Sequence, residues 1–312
     1  MPASDTAARP VQGGKDTSCA VVALIGAPNA GKSTLLNAMT GAKVSIVTHK
    51  VQTTRTRVRG IAIEGSCQLV LVDTPGIFAP KRRLDRAMVD AAWGGARDAD
   101  IVTLLIDAAN RDEAALDKIL PDLRDIRVPK CLLLNKVDLV KKDVLLTLTD
   151  NIGQAGEFDR VFMVSALSGD GVDAFRDYLV DKAPAGPWLF PEDQISDAPM
   201  RLLAAEITRE KLMLRLHQEL PYASTVETTA WKELKKGRVR IEQTIYVMRD
   251  SQKKIVLGKQ GNTIKSISME ARKELSEILE APVDLFIFVK VRQNWGDDPE
   301  RYRELGLEYP KD

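Results

Sequence analysis

The larger, N-terminal part of the chain alternates between short apolar runs and longer amphipathic stretches. The runs are rich in β-branched residues and indicate buried strands, whereas the stretches carry apolar residues at the spacing of a helix face. Strand alternating with helix in this way is typical of a doubly wound α/β domain. The predicted strands are Cys19–Ile25, Gly60–Ile63, Gln68–Val72, Asp100–Ile106, Lys130–Leu134 and Val161–Val164, and the predicted helices are Ser33–Met39, Glu113–Arg124, Gly171–Lys182 and a stretch within Phe78–Asp98.

A proline-rich stretch separates this part from the rest. Residues 184–199 hold four prolines, which predicts a semi-rigid linker and a domain boundary. Beyond it the pattern predicts a hairpin near Lys235–Gly237 and a short terminal helix that is capped by Asp298, has Pro299 first and stops at Gly306. The other elements predicted here are helix Met200–Gln218, strands 223–233 and 238–249, an apolar segment Lys253–Leu257, helix Asn262–Leu279 and strand Val283–Lys290.

The composition is that of a soluble protein. At 312 residues, 44% hydrophobic and 29% charged, the chain is long enough for two domains, and no apolar run approaches the ~20 residues that cross a bilayer. Residues 1–18 are small and polar without the apolar core of a secretory signal, so we expect a disordered tail. Cys19, Cys67 and Cys131 match no metal-binding spacing, and we expect buried, reduced thiols of a cytoplasmic protein.

Residues Gly26–Ser33 fit the phosphate-loop pattern G-x-x-x-x-G-K-[ST], between a predicted strand and a predicted helix. Unpaired N–H groups at the helix start and the helix dipole bind phosphate, and glycine lets the backbone pass close to it. Lys32 is predicted to reach the β- and γ-phosphates, and Ser33 to ligate Mg²⁺. The nucleotide-binding residues predicted here are Gly26, Ala27, Pro28, Asn29, Ala30, Gly31, Lys32, Ser33 and Thr34.

Two further loops carry phosphate and metal chemistry. The polar segment Val51–Arg57 offers a threonine that can close on Mg²⁺ and the γ-phosphate; Thr54 is the first candidate and Thr53 the second, with a plain basic loop as the alternative. Asp73 ends an apolar strand, where a carboxylate can hold Mg²⁺ through water, and the N–H of Gly76 can sense the γ-phosphate. The sequence thus predicts Lys32, Thr54 and Gly76 as catalytic, Ser33, Thr54 and Asp73 as metal-binding, and Asp73, Thr74, Pro75 and Gly76 as nucleotide-binding.

The residue after this aspartate loop is Ile77, where Ras-like sites carry a glutamine that orients the attacking water. We therefore expect slow intrinsic hydrolysis that is accelerated by something outside the standard motifs. Asn29 is one candidate, because an asparagine at this position resembles a class of GTPases in which it helps to bind K⁺. The charge of that ion can replace the charge of an arginine.

The choice of base is predicted by two loops. Asn135–Asp138 follows the fifth apolar run and Ser165–Leu167 follows the sixth. The Asp138 carboxylate can accept from N1–H and N2–H of guanine, a donor pair that adenine lacks, which favours GTP over ATP and argues against a metabolic kinase. Asn135 is expected to secure the loop and N7, the Lys136 stem to pack on the ring, and the Ala166 N–H to donate to O6. The predicted base-binding residues are Asn135, Lys136, Asp138, Ser165, Ala166 and Leu167.

The net charge of +1 hides a basic segment. Residues 231–265 contain 10 Lys and Arg against 3 Asp and Glu, whereas residues 1–199 contain 24 against 26, so a local polyanion site is predicted. Gly258–Gly261 precedes a helix within this segment and can let a nucleic-acid backbone approach, whereas Gly153–Gly156 is interpreted as a loop. The alternative is a small domain for protein contacts. The predicted RNA-binding residues are Lys235, Lys236, Arg238, Lys253, Lys254, Gly258, Lys259, Gln260, Gly261 and Lys265.

The domain around this turn resembles a KH domain of the second type, and the whole chain is similar to the Era family of bacterial GTPases. The resemblance implies an α/β P-loop GTPase domain with a mixed, mainly parallel sheet, followed by an α+β type II KH domain. It rests on Gly26–Ser33, Gln52–Arg55, Asp73–Gly76 with the apolar Ile77, Asn135–Asp138, Ser165–Ala166 and the glycine turn with its sequel Ile264–Ile267. The expected divisions are a tail at 1–18, the GTPase domain at 19–183, the linker at 184–199, the KH domain at 200–293 and a short helix and tail at 294–312.

The resemblance also implies a function. It implies a GTP-hydrolysing factor with Mg²⁺ that binds the 3′ end of the small-subunit ribosomal RNA and acts in small ribosomal subunit assembly. We expect a cytoplasmic monomer with peripheral contact at the inner membrane, in which GTP orders Gln52–Arg57 and the stretch after Gly76 and thereby opens or closes the RNA groove. The competing interpretation is a GTP switch in cell-cycle signalling that acts mainly through protein or membrane partners.

Overall fold

The structure is a computed structural model, and it describes residues 16–155, 157–216, 220–293, 295 and 298–310. The described residues form two compact units. The first unit comprises the described residues up to Ser45, together with Thr54–Pro80 and Met88–Asp197. The second unit comprises Ile46–Thr53, Lys81–Ala87 and the described residues from Ala198 onward. Residues 1–15 of the predicted disordered tail lie outside the described part of the chain.

The first unit is built on a six-stranded sheet in the order β2-β3-β1-β4-β5-β6. Strand β2 is antiparallel to β3, and every other neighbouring pair is parallel, so the predicted mixed, mainly parallel sheet is confirmed. The strands are β1 Ser18–Ile25, β2 Val58–Glu64, β3 Cys67–Asp73, β4 Ile101–Asp107, β5 Lys130–Asn135 and β6 Arg160–Val164, and the helices are α1 Lys32–Thr40, α2 Arg83–Arg97, α3 Glu113–Arg124, α4 Lys142–Ala155 and α5 Val172–Lys182.

Two hydrophobic cores cover the two faces of this sheet. One joins the strands to α1 through Leu35 and to α5 through Phe175. The other joins them to α2, α3 and α4 through Ala92, Ile119 and Leu148. Because both faces are covered, the central strands are apolar throughout rather than in alternation. This is why continuous apolar runs predicted them.

One helix of the first unit corrects the sequence-based interpretation. The sequence predicts a loop at Gly153–Gly156, but α4 runs through Ala155, and Gly156 lies outside the described residues. Apolar side chains of α4, such as Leu145 and Ile152, are buried in the core. Burial of this face outweighs the roughly 1 kcal/mol that a glycine costs inside a helix.

The linker runs along the free edge of the sheet at β2. The N–H of Ile61 donates to the carbonyl of Ile195 at 2.8 Å. The buried amide of Gln68 accepts from the N–H groups of Leu189 and Phe190 at 2.8 and 3.0 Å, and it donates to the carbonyl of Phe190 at 2.8 Å. The linker therefore pairs with an edge strand that would otherwise be open to other chains.

The second unit contains a three-stranded sheet in the order β7-β8-β9, in which β8 is antiparallel to β7 and parallel to β9. Its helix-strand-strand-helix-helix-strand order is that of a type II KH domain. The predicted helix Met200–Gln218 ends at Arg215, and residues 217–219 lie outside the described part. The elements are α6 Met200–Arg215, β7 Ser224–Glu233, β8 Val239–Val247, α7 Asp250–Leu257, α8 Asn262–Ile278, β9 Val283–Val291 and α9 Pro299–Glu304.

Two short helices, α7 and α9, can be compared with the sequence predictions. The stretch interpreted only as an apolar segment, Lys253–Leu257, is the second half of α7. The predicted cap of the terminal helix is confirmed, since the Asp298 side chain accepts from the N–H of Glu300 and Pro299 occupies the first turn. Gly306 follows the helix with a φ of 63°, as expected for a glycine stop.

Candidate nucleotide and RNA sites

The phosphate loop connects the carboxyl end of β1 to α1 and needs its two glycines. Gly26 has a φ of 144°, and a Cβ there would lie 2.3 Å from the carbonyl oxygen of Leu105. Gly31 has a φ of 100°, and its Cβ would lie 2.1 Å from Nδ2 of Asn135. Any larger residue would push the loop away from the sheet. The spacing of the motif is thus enforced by the strands behind it.

Lys32 lies buried over this loop. Its Nζ donates to the carbonyls of Gly26 and Ala27 at 3.1 and 2.9 Å. Burial lowers the pKa of Lys32 to about 8, while the charge of Asp73 acts in the opposite direction. Phosphate oxygens can take over from the two carbonyls as partners of this ammonium group.

The three residues predicted to hold the metal ion come together at the carboxyl end of β3. Asp73 Oδ2 accepts from Ser33 Oγ at 2.6 Å and from Thr54 Oγ1 at 3.2 Å, and the two hydroxyl oxygens are 2.9 Å apart. Ser45, which sequence reasoning missed, donates to the same carboxylate oxygen at 2.8 Å. Burial raises the pKa of Asp73, and the charge of Lys32 and these hydroxyl donors act to lower it.

The donor set fits Mg²⁺. Asp73 Oδ1 is buried and has no hydrogen-bond partner among the described residues, so a carboxylate oxygen remains available for a metal-bound water. Magnesium prefers oxygen ligands and keeps several waters. Ser33 and Thr54 would hold the ion directly and Asp73 through water.

The structure also distinguishes the two candidate threonines. The Thr53 hydroxyl donates to the carbonyl of Lys50 at 2.7 Å and lies 2.7 Å from the hydroxyl oxygen of Thr48. Its hydroxyl is therefore engaged within its own segment, whereas the Thr54 hydroxyl oxygen lies 2.9 Å from Ser33 Oγ. The geometry supports the first choice, Thr54.

The Asp73–Gly76 loop packs directly on the phosphate loop. The N–H of Ile77 donates to the carbonyl of Gly26 at 3.0 Å, and a Cβ on Gly76 would lie 2.8 Å from the backbone nitrogen of Pro28. The side chain of Ile77 is buried in the core. It therefore cannot orient a water molecule at the γ-phosphate.

Asn135 ties the base loops to the phosphate loop. Its Nδ2 donates to the carbonyl of Ala30 at 2.7 Å, and its Oδ1 accepts from the N–H of Ala166 at 2.9 Å. The N–H that was expected to donate to guanine O6 is thus engaged by Asn135 in this structure. Ser165 beside it is buried, whereas Leu167 is 85% exposed.

Lys136 and Asp138 follow Asn135 in the loop after β5. Lys136 has a φ of 64°, and its Nζ pairs with Asp107 Oδ2 at 2.6 Å. Asp138 is exposed, and its carboxylate has no hydrogen bond or ion pair with the part of the chain that the structure describes. An exposed carboxylate without a partner can accept from two donors of a base.

The predicted RNA-binding residues form two groups in the second unit. The first lies around the turn between α7 and α8, where Gly258 and Gly261 have φ values of 72° and 77°. Lys254, Lys259 and Lys265 are exposed beside it. The turn opens α8, whose unpaired N–H groups and dipole attract phosphate.

The second group lies at the hairpin between β7 and β8 and comprises Lys235, Lys236 and Arg238. Arg238 Nε donates to Asp284 Oδ2 at 3.2 Å, which neutralises part of its charge. Strand β8 begins beside the end of α8, because the N–H of Val239 donates to the carbonyl of Pro282. Since the 17 residues of α8 span about 25 Å, the two groups lie near opposite ends of this helix.

Comparison with known proteins identifies the family. A sequence profile described as 50S ribosome-binding GTPase matches residues 21–136, and a KH domain profile matches residues 219–296. GTPase Era of Sinorhizobium medicae is 64% identical over 307 residues, which is 98% of each chain. GTPase Era of Brucella suis is 64% identical over 94% of each chain. The chain belongs to the Era family of GTPases.

Solved structures of Era show the same fold. An Aquifex aeolicus Era variant bound to GDP and AlF4⁻ is 36% identical, with a TM-score of 0.88 over 93% of this chain and 99% of that chain. An Era complex with MgGDPNP and nucleotides 1506–1542 of 16S ribosomal RNA is 37% identical, with a TM-score of 0.86 over the same shares. This Era-family chain is therefore a GTPase with a P-loop domain and a KH domain. Among its described residues, no helix is both long and apolar enough to cross a bilayer.

Proposed function

We propose that this GTPase binds the 3′ end of the small-subunit ribosomal RNA and acts in small ribosomal subunit assembly. The observation that carries the proposal is the Era complex with nucleotides 1506–1542 of 16S ribosomal RNA, which matches 93% of this chain at 37% identity. This chain has the KH fold and the glycine turn at the start of α8. KH grooves of this kind hold about four unpaired nucleotides.

The exposed lysines around the turn between α7 and α8 supply the electrostatic part of RNA binding. Lys254, Lys259 and Lys265 have no acidic partner among the described residues, in contrast to Arg238. Each lysine that neutralises a phosphate releases counterions, so RNA affinity falls as salt rises. Because Arg238 is paired with Asp284, we expect each of the three lysines around the turn to contribute more affinity than Arg238 does.

The nucleotide site would use GTP and Mg²⁺ for in-line attack by water. Mg²⁺, when bound, offsets the negative charge of the β- and γ-phosphates. Lys32 and the amides of the phosphate loop bind the same charge, and Thr54 closes over it. Because Ile77 is buried and apolar, intrinsic hydrolysis is slow, and K⁺ held with the help of Asn29 is our candidate for the missing positive charge.

We infer that nucleotide control of RNA binding acts through a segment of the second unit that precedes Thr54. Residues Ile46–Thr53 belong to the same unit as the KH domain and lie on α6. The N–H of Val47 donates to Glu210 Oε1 at 2.8 Å, and the buried Arg209 donates to the carbonyl of Thr53. Thr54, the next residue, is the proposed metal ligand. A shift of Thr54 toward Mg²⁺ would therefore pull on the bond between Thr53 and α6.

The test is RNA binding by the full chain and by two matched glycine variants. Gly261→Asp places a negative charge in the turn of the KH domain. Gly65→Asp, in the turn between β2 and β3, is the control, since both glycines have positive φ and nothing within 4 Å of an added Cβ. We expect Gly261→Asp to weaken binding of a 3′-end fragment at least tenfold, because a carboxylate repels the phosphates, and Gly65→Asp to leave it unchanged.

Two comparisons extend this test. Binding of the 3′-end fragment should exceed that of a scrambled fragment, should weaken steeply with salt, and should differ among the GTP-analogue, GDP and nucleotide-free forms. Equal affinity for both fragments, or binding that ignores salt and Gly261→Asp, would contradict the proposal and favour a switch that acts through proteins or membranes. The cytoplasmic location with peripheral contact at the inner membrane, and the monomeric state, stay predictions.

A further inference from the structure

A serine that belongs to none of the nucleotide motifs contacts the metal-binding carboxylate. Ser45 is 3% exposed and lies in the loop between α1 and β2. Its Oγ donates to Asp73 Oδ2 at 2.8 Å. The same oxygen accepts from Ser33 and Thr54, so three hydroxyl groups converge on one carboxylate oxygen.

Ser45 differs from the other two in how its backbone is held. Oδ1 of Asn37 accepts from the N–H groups of Val44 and Ser45, both at 2.9 Å. Nδ2 of Asn37 donates to the carbonyl of Ser45 at 2.8 Å. Asn37 lies on α1, the helix that begins with Lys32. The backbone of Ser45 is therefore fixed to the helix that carries the phosphate loop.

The three hydrogen bonds between Asn37 and the backbone at Val44 and Ser45, here called the Asn37 clamp, lie at a boundary between the two units. Ser45 is the last residue of the first unit before Ile46–Thr53, which belongs to the second. The residue before that segment thus has both its N–H and its carbonyl held by Asn37.

The three hydroxyl groups would behave differently when Mg²⁺ is bound. Ser33 and Thr54 are the proposed direct ligands, so their oxygen atoms would turn to the ion. Ser45 has its backbone clamped and its side chain buried, so its hydroxyl would stay on Asp73. One hydrogen bond to the carboxylate would then persist in every nucleotide state and fix its orientation.

We propose that Ser45, clamped by Asn37, is a positioning residue for the metal site. Its hydroxyl holds Oδ2 of Asp73, so that Oδ1, which has no hydrogen-bond partner among the described residues, would be available to accept from a water bound to Mg²⁺. This role rests on the proposed assignment of Asp73 to Mg²⁺. Groups that orient a metal ligand without touching the metal commonly change metal affinity by about 10- to 100-fold when they are removed.

The test measures how Mg²⁺ retains nucleotide rather than how fast GTP is hydrolysed. The dissociation rate of a fluorescent GDP from the full chain is followed at increasing free Mg²⁺ and in excess EDTA. We expect Ser45→Ala to raise the Mg²⁺ concentration that gives half-maximal retention by about tenfold and to leave the rate in EDTA unchanged. Ser45→Thr keeps a hydroxyl and should restore most of the Mg²⁺ response.

Two further variants separate this role from a general loss of structure. Thr40→Ala deletes a hydroxyl on the same helix whose partners among the described residues are backbone carbonyls, and it should retain the midpoint of the unchanged chain. Asn37→Ala removes the hydrogen bonds to the backbone of Ser45 but keeps the serine hydroxyl, and it should raise the Mg²⁺ midpoint as Ser45→Ala does. Melting curves without nucleotide establish whether each variant is folded. If Ser45→Ala does not fold, the Mg²⁺ midpoint of Asn37→Ala tests the proposal instead.

Several outcomes would overturn the proposal. One is a Mg²⁺ midpoint in Ser45→Ala that equals that of the unchanged chain. Another is a midpoint in Ser45→Thr that is raised as much as in Ser45→Ala. A third is GDP dissociation from Ser45→Ala that is accelerated equally with and without Mg²⁺. If Mg²⁺ does not slow dissociation from the unchanged chain, the assignment of the metal site itself is wrong. The RNA measurements are independent of all of these results.

Discussion

Nδ2 of Asn135 donates to the carbonyl of Ala30 at 2.7 Å, across 105 positions of the sequence. The other end of the same amide accepts from the N–H of Ala166. One buried side chain thus joins the phosphate loop to both loops of the base site. The predicted guanine motif therefore has a structural role in addition to the role in base choice that we propose for it.

Replacing Asn135 by alanine should weaken binding of GTP and GDP alike. The substitution leaves two buried backbone groups without partners, each at a cost of about 1–3 kcal/mol. We expect affinity for both nucleotides to fall at least tenfold and the melting temperature to drop, by calorimetry. Asn151→Ala, on the exposed face of α4, is the control. Unchanged affinity would show that the bridge contributes nothing to the site.

Asp138→Asn should change which base is bound. The amide that replaces the carboxylate can no longer accept from both guanine donors, but it can donate to the carbonyl that xanthine carries at C2. We expect GDP affinity to fall by about 1000-fold and that for xanthosine diphosphate to rise. Asp143→Asn, an exposed acid in the first turn of α4, should bind as before. Intact guanine preference in Asp138→Asn would refute the assignment of this residue.

Hydrolysis should depend on the monovalent cation. Asn29 has a φ of 64° in the phosphate loop, and Ile77 offers no polar group to the attacking water. A K⁺ ion held with the help of Asn29 would stabilise developing charge, so turnover in K⁺ should exceed turnover in Na⁺ by about tenfold or more. Asn29→Ala should remove the difference. Equal rates of phosphate release in the two salts would eliminate this role.

The three cysteines should resist thiol reagents in the native protein. Burial raises the pKa of Cys131 from an ordinary 9.0 to about 12 and raises the pKa values of Cys19 and Cys67 as well. The native thiols therefore stay protonated at pH 8.5, where exposed thiols are already partly ionised. We expect slow alkylation in buffer at this pH and rapid alkylation in guanidinium. Rapid labelling of the native chain would show that these sites open.

The same shifts give stability a direction with pH. Thiols of the unfolded chain ionise above about pH 9, whereas the native Cys131 thiol stays neutral until about pH 12. The unfolded state therefore binds fewer protons between these values, and stability falls as pH rises. The loss for this residue is up to about 1.4 kcal/mol per pH unit. Denaturant titrations of Cys131→Ala at the same pH values should show a shallower slope.

The strands of the first unit were predictable because they are buried on both faces. A continuous apolar run such as that of β3 gives its bounds to within one or two residues. Helices with less apolar surface were harder. In α7, Val256 is the one residue that is buried, so the run Ile255–Leu257 indicates an apolar segment but not whether it is a helix or a strand. The sequence pattern does not predict α4, because the glycines at 153 and 156 favour a loop there.

The nucleotide site was predictable as far as motifs reach. Ser33 and Asp73 belong to recognisable motifs, Thr54 was the first of two candidate threonines in a polar loop, and the structure brings the three together. Ser45 belongs to none of these patterns, and its contact with Asp73 spans 28 positions. Such a contact depends on the path of the loop after α1. That path is set by the amide of Asn37, which the sequence shows only as one polar residue on a helix.

The attachment of the linker to β2 and Gln68 determines how this protein can be dissected. Every nucleotide motif lies before Pro184, so cutting there is the obvious way to obtain the catalytic half alone. That cut would remove the backbone partner of Ile61 and the three hydrogen bonds that the buried amide of Gln68 makes with the linker. The resulting fragment would expose a sticky strand edge and tend to aggregate, whereas a fragment that extends to Asp197 would keep its cover.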